Sequence, residues 1–383
     1  MKLSNRVLNL GSSPTLAMKA RTKALHDQGI EVISLSAGEP DFETPACIVE
    51  VAHRALDKGV SRYTGVRGND ELISAMRLKF KRDQGLDYAP AQVLSSVGAK
   101  ACLSLAFDAL LEPGDEAIIL VPYWVSYPEM VKLSGATPVF AKPTLESINA
   151  AITPKTKAIV VNSPNNPDGA VYSKEFFQGM MKLLEGTGVW VISDEIYEHL
   201  VFDGLKHVSP ASVSEDAYAR TIVINGVSKG YAMTGWRVGI IGGPEPAVSA
   251  MVKLQEQRIS CIPTICQMAA AYALTEPAEL KVEIEKMRLA YQERRDRFME
   301  AIVQIPGVTC EKPQGAFYTF PNFSARFPDD TALANALLAD AHVATVPGTP
   351  FGMPGHLRIS LASKLEEILA GVDKIKQFLS SRP

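Results

Sequence analysis

Short, β-rich apolar runs alternate with helix-period segments through the middle of the chain. The runs cover residues 93–97, 117–121, 157–161, 189–193, 221–224 and 238–241. Between them, 100–111 carries Leu103, Phe107 and Leu110 on one helical face, and 174–184 has the same spacing. Continuous apolar strands separated by helices predict an α/β fold with a mostly parallel sheet covered on both faces. Ligands in such sheets bind beyond the carboxyl ends of the strands. Residues 277–305 read as one long amphipathic helix rich in Glu, Lys and Arg, followed by short alternating strands at 316–320 and 357–361. Helical segments at 331–339 and 365–379 complete an α+β pattern that predicts a second, smaller domain. A further strand at 32–36 is expected to join it. The resulting division is an N-terminal arm and part of the small domain in 1–45, a large domain in 46–290, and the small domain in 291–383. There is no internal repeat and no low-complexity segment.

Composition narrows the function classes. The chain has 383 residues, 46% of them hydrophobic, which is enough for a large core or two domains. A net charge of −3 gives no nucleic-acid footprint. The five cysteines form no CxxC pair and read as small core residues in a reducing compartment. The six histidines lack the spacing of a helical metal site, so no metal is expected. Met1-Lys2-Leu3-Ser4-Asn5-Arg6 contains no apolar signal region, and no run is long enough to cross a bilayer. A cytoplasmic protein is expected, although a trimmed transit peptide would leave the same start.

The chemistry-bearing residues follow the apolar runs. Lys229 lies behind 221–224, with Arg237 eight positions on. Burial makes an ammonium costly, so such a lysine tends toward the neutral nucleophile and can form a Schiff base with an aldehyde cofactor. The arginine fork suits a phosphate. Together they describe pyridoxal 5′-phosphate (PLP); a solvated lysine and an ion-paired arginine are the plainer alternative. Asp194 ends the run 189–193 and, poorly solvated, calls for a cation such as a protonated pyridine nitrogen. At an effective dielectric near 20, charges about 4 Å apart attract by roughly 4 kcal/mol. Helix capping is an equal alternative for Asp194. Tyr197 would lie near it if the chain turns.

Asn166 sits in the turn-rich stretch Asn162–Gly169, where a plain loop is the default. Gly98, Ala99 and Lys100 open a helix, a natural but weak anion site. Trp124 offers an aromatic face to a flat ligand. Arg358, inside an alternating strand, is either a bidentate carboxylate ligand or a surface arginine.

In this order the signals resemble the fold-type I PLP-dependent aminotransferases of class I/II, in particular the prokaryotic-type aspartate aminotransferase subgroup. The resemblance runs from about Ser12 to the end and includes Ser36-Ala37-Gly38-Glu39-Pro40-Asp41-Phe42, Arg62-Tyr63-Thr64, Pro122-Tyr123-Trp124-Val125-Ser126-Tyr127-Pro128, Ser193-Asp194-Glu195-Ile196-Tyr197-Glu198 and Met233-Thr234-Gly235-Trp236-Arg237. It implies that Lys229 holds the cofactor and later moves the proton. Asp194 would pair with the pyridine nitrogen, Tyr197 and Asn166 would contact the phenolic oxygen, and Trp124 would stack on the ring. Arg237 and the backbone at Gly98, Ala99 and Lys100 would hold the phosphate, with Tyr63 from a neighbouring subunit, which implies a homodimer with shared sites; Ser228 would also contact the cofactor. Gly38, Arg358 and Asn166 would bind the α-carboxylate, and Lys100, Ser13 and Thr15 the distal one.

The implied reaction moves the amino group of L-aspartate to 2-oxoglutarate. Aromatic or prephenate transamination and, further off, β-lyase chemistry are the alternatives. A sensor module is disfavoured by the lack of a basic DNA-binding segment before Ser12. Three features depart from the subgroup. Asp168 replaces a small hydroxyl residue, Arg258 replaces a small polar one, and the stretches 141–150 and 321–331 are short.

Overall fold

The computed structural model describes residues 3–8, 10, 11 and 13–381. Ser12, where the family resemblance begins, and Met1 and Lys2 lie outside the described residues. In chain order the strands are β1 (Ile33–Ser34), β2 (Val93–Ser96), β3 (Glu116–Leu120), β4 (Thr137–Ala141), β5 (Thr156–Asn162), β6 (Trp190–Asp194), β7 (Thr221–Gly226), β8 (Gly239–Gly242), β9 (Tyr318–Thr319), β10 (Val343–Ala344), β11 (Val346–Pro347) and β12 (Leu357–Ser360). Strands β2 to β8 form a seven-stranded sheet in the order β2-β8-β7-β6-β5-β3-β4. Strand β8 is antiparallel to both neighbours, and the remaining pairings are parallel.

The double-sided burial follows from the period of two along each strand. Ile119, Val160 and Ile192 pack with Leu103 and Phe107 of helix Gly98–Leu110 on one face. Their neighbours Ile118, Ile159 and Val191 pack with Phe177, Met180 and Leu184 of helix Lys174–Leu184 on the other. Ser173 caps that second helix, its hydroxyl accepting from the Phe176 amide at 3.2 Å. The edge strand β4 escapes the hydrophobic-run reading. It contains Pro138 and a half-exposed Phe140, as an edge permits and a central strand does not.

Past the sheet, the long helix Ala278–Ile302 leads to a three-stranded antiparallel sheet, β11-β12-β9. Strand β1 comes back from the N-terminal part to pair in parallel with β10. A separate core gathers Leu35, Tyr291, Phe298, Phe317, Leu357 and Ile375, and it also takes in Tyr197 and Leu200 from the turn after β6. The expected strand at 316–320 shrinks to two residues because Ala316 takes a left-handed backbone, φ 59°. The expected helix at 331–339 starts as Asp330–Ala336 and widens into a π-helical turn, Leu337–Ala341. Among the described residues no helix is long and apolar enough to cross a membrane.

Phe107 is fully buried in the layer between the sheet and helix Gly98–Leu110. Phe107→Ala is expected to cost about 3–5 kcal/mol, read as a lowered urea midpoint.

Candidate active site

The carboxyl ends of β2, β3, β5, β6 and β7 meet at one edge of the large sheet, and a cavity of about 530 Å³ lies there. Asp194 closes β6 and is 4% exposed. Its Oδ2 accepts from the Tyr127 hydroxyl at 2.7 Å and its Oδ1 from the Ile196 amide at 3.3 Å. Burial pushes its carboxyl up to about 6, against the pull of those two donors. After Asp194 the chain makes a turn rather than a helix, closed by the Glu198 amide on the Glu195 carbonyl at 3.0 Å. Asp194 therefore caps the turn and lines the cavity at once, and the turn brings Tyr197 to the same wall. The turn is anchored by Glu195, whose buried carboxylate accepts from Ser193 Oγ at 2.8 Å and Ser209 Oγ at 2.6 Å and meets His207 Nε2 at 2.9 Å.

Asn162, at the end of β5, ties the neighbouring loop to this turn. Its Nδ2 donates to the Asp194 carbonyl at 2.8 Å and its Oδ1 accepts from the Asn166 amide at 2.9 Å. Asn166 Oδ1 in turn accepts from Arg358 Nη1 at 3.1 Å. With that oxygen engaged by a guanidinium, the side chain offers N–H donors to anything else it meets. Asp168 does not line the cavity. It folds back on its own turn, accepting from Asn165 Nδ2 at 2.8 Å and the Ala170 amide at 3.0 Å, and burial raises its carboxyl.

Lys229 follows β7, and its Nζ donates to the Gly38 carbonyl at 2.5 Å. Burial brings its pKa down to about 8; Glu39 pulls it up, Arg358 and Arg237 push it down, and Asp194 pulls it up again. Half of this amine is therefore neutral near pH 8, poised as a nucleophile. Arg237 sits in a left-handed conformation, φ 57°, and donates to the Thr234 carbonyl at 3.1 Å and to Val97 O at 3.4 Å. It has no carboxylate partner among the described residues. A Cβ at Gly98 would lie 2.6 Å from Arg237 Nη2, so only glycine lets the guanidinium lie across the start of helix Gly98–Leu110. Ala99 and Lys100 of that helix start, together with Ser228, line the cavity. A guanidinium beside helix-start amides is a place for a phosphate-sized anion.

Arg358 is 2% exposed, yet no carboxylate pairs with it among the described residues. Its Nη2 donates to the Ser36 carbonyl at 3.2 Å, and its Nε is buried with no partner. The Tyr318 and Phe351 rings flank its guanidinium at 4.4 and 5.2 Å. A buried cation so placed calls for an anionic ligand. Ser13 and Thr15, at the start of helix Pro14–His26, line the wall together with Gly38, Lys100 and Trp124. Lys100 Nζ sits 4.8 Å over the Trp124 ring; burial and then Arg237 lower its pKa.

Tyr63, expected to serve a neighbouring subunit, and Arg258, a departure from the subgroup, both lie away from this chain's own cavity. Tyr63 is 93% exposed and lines no part of the cavity. Arg258 is ion-paired with Asp108, outside the cavity. Conversely, Tyr127, Asn162 and Tyr318 are site residues that reasoning from sequence did not single out. Tyr127 and Asn162 stand inside or beside the stretches that drew attention along the chain, and Tyr318 lies in the 316–320 alternation.

A part-buried amine of lowered pKa, a buried carboxylate needing a cation and two arginines needing anions share one cavity. That is the donor set of a site for a phosphate-bearing aldehyde cofactor and a carboxylate substrate, and the residues present fit PLP. The model of the family described as aminotransferase class I and II matches residues 30–375. The aspartate aminotransferase of Geobacillus stearothermophilus is 44% identical over 100% of both chains. The aspartate/prephenate aminotransferase of Thermus thermophilus is 41% identical over 98% of each. The solved aspartate aminotransferase of Rhizobium meliloti superposes with a TM-score of 0.95 at 38% identity, covering 99% of both chains. The chain belongs to the class I and II aminotransferases, and is an enzyme of the PLP-dependent transferase class.

In the cofactor-free protein, Lys229 is expected to half-titrate near pH 8, about two units below an ordinary lysine. The pH profile of its reductive methylation, followed by mass spectrometry, measures this.

Proposed function

We propose that the protein transfers the amino group of L-aspartate to 2-oxoglutarate by a two-stage mechanism. The observation that carries the reading is the convergence of Lys229, Asp194, Arg237 and Arg358 on one cavity. Bound there, pyridoxal 5′-phosphate supplies an electron sink and a carrier for the amino group. Arg237, Ser228 and the helix start at Gly98, Ala99 and Lys100 would hold its phosphate. Asp194 would pair with the ring nitrogen, Tyr197 and Asn166 would serve the phenolic oxygen, and Trp124 would lie against the ring. Lys229 would hold the cofactor, and its amine, once a substrate amine has taken its place, would serve as the general base for the Cα proton. Its lowered pKa keeps that amine competent near neutral pH. Arg358, assisted by Asn166 and the Gly38 backbone, orients the α-carboxylate. Lys100, Ser13 and Thr15 receive the distal carboxylate, which sets the preference for a dicarboxylic substrate.

The division 1–45, 46–290 and 291–383 belongs to the same reading. Arg358 and Tyr318 come from the small domain, and Lys229 and Asp194 from the large one. So does a cytoplasmic homodimer, which the exposed Tyr63 supports: a phenol at 93% exposure is free to reach a second subunit's phosphate site. Aromatic or prephenate transamination is the second reading, favoured by the apolar wall of Leu16, Leu103 and Trp124.

L-Aspartate added to the PLP-loaded enzyme without any oxo acid is expected to convert the visible cofactor band to the near-ultraviolet pyridoxamine form. An unchanged band with aspartate but conversion by phenylalanine would replace the first reading with the second. Lys229→Ala is expected to abolish activity. Lys100→Ala is expected to lower kcat/KM for aspartate about tenfold or more, the loss of one charged hydrogen bond, while phenylalanine turnover changes little. Equal loss on both would assign Lys100 to the phosphate.

A further inference from the structure

Tyr318 takes no part in the transfer steps assigned to Lys229 and Arg358, yet it touches two groups of the site. It lies on β9, opposite Ser360 of β12, and so reaches the cavity from the same small sheet that carries Arg358. Its ring lies 4.4 Å below the Arg358 guanidinium, and its hydroxyl lies 3.2 Å from that of Tyr197. Both phenols are buried, at 1% and 4% exposure. A Cβ added at Gly38 would come within 3.6 Å of the Tyr318 hydroxyl, so the phenol also packs beside the backbone that receives Lys229.

Proton counting decides the direction of the hydroxyl pair. Each phenol has one O–H proton and can accept through its lone pairs. If Tyr197 donates to Tyr318, its proton is spent and it has nothing to offer the cavity. If Tyr318 donates, Tyr197 keeps its proton for a ligand oxygen, and accepting one hydrogen bond strengthens the one it gives. The charged groups facing the pair are Arg358 and Glu39 about Tyr318, and Arg358, Asp194 and Lys229 about Tyr197, with Arg358 lying directly over the Tyr318 ring. Arg358 above the Tyr318 ring withdraws electron density and favours Tyr318 as the donor.

We propose that Tyr318 is a positioning residue that donates its hydroxyl proton to Tyr197, freeing the Tyr197 proton for the cofactor's phenolic oxygen, while its ring seats the guanidinium of Arg358. One side chain thereby orients both the carboxylate-binding arginine and the phenol of the cofactor cradle. The proposal rests on the PLP reading.

The test separates hydroxyl from ring, using the PLP-loaded enzyme. Tyr318→Phe keeps the ring and removes the proton. The pH midpoint of the visible cofactor band is expected to rise by roughly half a unit to one unit, because Tyr197 becomes a poorer donor to the phenolate form. Succinate affinity is expected to stay within about twofold of the native value, since the guanidinium keeps its seat. Tyr318→Leu removes the ring as well and is expected to weaken succinate binding about fivefold or more. Tyr197→Phe approaches the pair from the other side, and adding Tyr318→Phe to it is expected to move the midpoint no further. A native midpoint in Tyr318→Phe, or an equal shift from Tyr318→Phe with and without Tyr197, overturns the proposal. Should Tyr318→Phe not fold, neutron diffraction of the deuterated native enzyme locates the same proton directly, and a proton on Tyr197 pointing to Tyr318 overturns it. A native protein that takes up PLP without any pH-dependent visible band, or takes up none, fails the cofactor reading instead.

Discussion

A carboxylate buried at the end of a parallel strand is the constraint around which the site is organised. Asp194 has a tyrosine hydroxyl and a backbone amide for company and, among the described residues, no cation in hydrogen-bond contact, and burial holds its carboxyl near 6. Such a group is costly to keep ionised unless a positive charge arrives beside it. The scaffold holds it there through several polar contacts. Tyr127 restrains one oxygen, Asn162 binds its carbonyl, and Glu195 secures the turn beyond it from within the sheet's flank. Lys229 and Arg358 show the opposite imbalance, as part-buried and buried cations without a paired carboxylate at hydrogen-bond distance among the described residues. The cavity is thus built with its charges separated, and a zwitterionic cofactor and a carboxylate substrate complement it.

Much of this was legible along the chain, for a physical reason. In a mostly parallel sheet, chemistry gathers at strand ends, and the residues that ended apolar runs were Asp194, Lys229 and the loop carrying Asn166. The helices that cover the sheet announced themselves by period, and Lys174–Leu184 falls on the segment its spacing predicts. What escaped were contacts that no local pattern encodes. Tyr127 meets Asp194 across 67 residues of chain, and Tyr318 meets Tyr197 across 121. Strand β4 escaped because an edge strand tolerates proline and exposed positions. Asp168 and Arg258, the two charged departures from the subgroup, have partners that no local pattern gives. One closes its own turn and the other pairs with Asp108.

The second core explains how two sheets serve one cavity. Tyr197 and Leu200 leave β6 and enter the apolar cluster built on the long helix and the small sheet. Arg358 crosses in the other direction to Asn166, and the Ser36 carbonyl from the N-terminal part receives its second nitrogen. Arg358 is therefore held by both parts of the chain at once. The small sheet thus meets Asn166 through Arg358 and Tyr197 through Tyr318.

The most direct test of a charge-separated site is the ionisation of Asp194 itself, followed by carbon-13 NMR of labelled aspartate or by difference infrared spectroscopy. In the cofactor-free protein its carboxyl should titrate near pH 6. With PLP bound, that titration should fall well below pH 5, because a pyridinium beside the carboxylate favours its charged form. A titration that stays near 6 in the loaded enzyme would contradict the pairing, since Asp194 would then not be the partner of the cofactor's ring nitrogen.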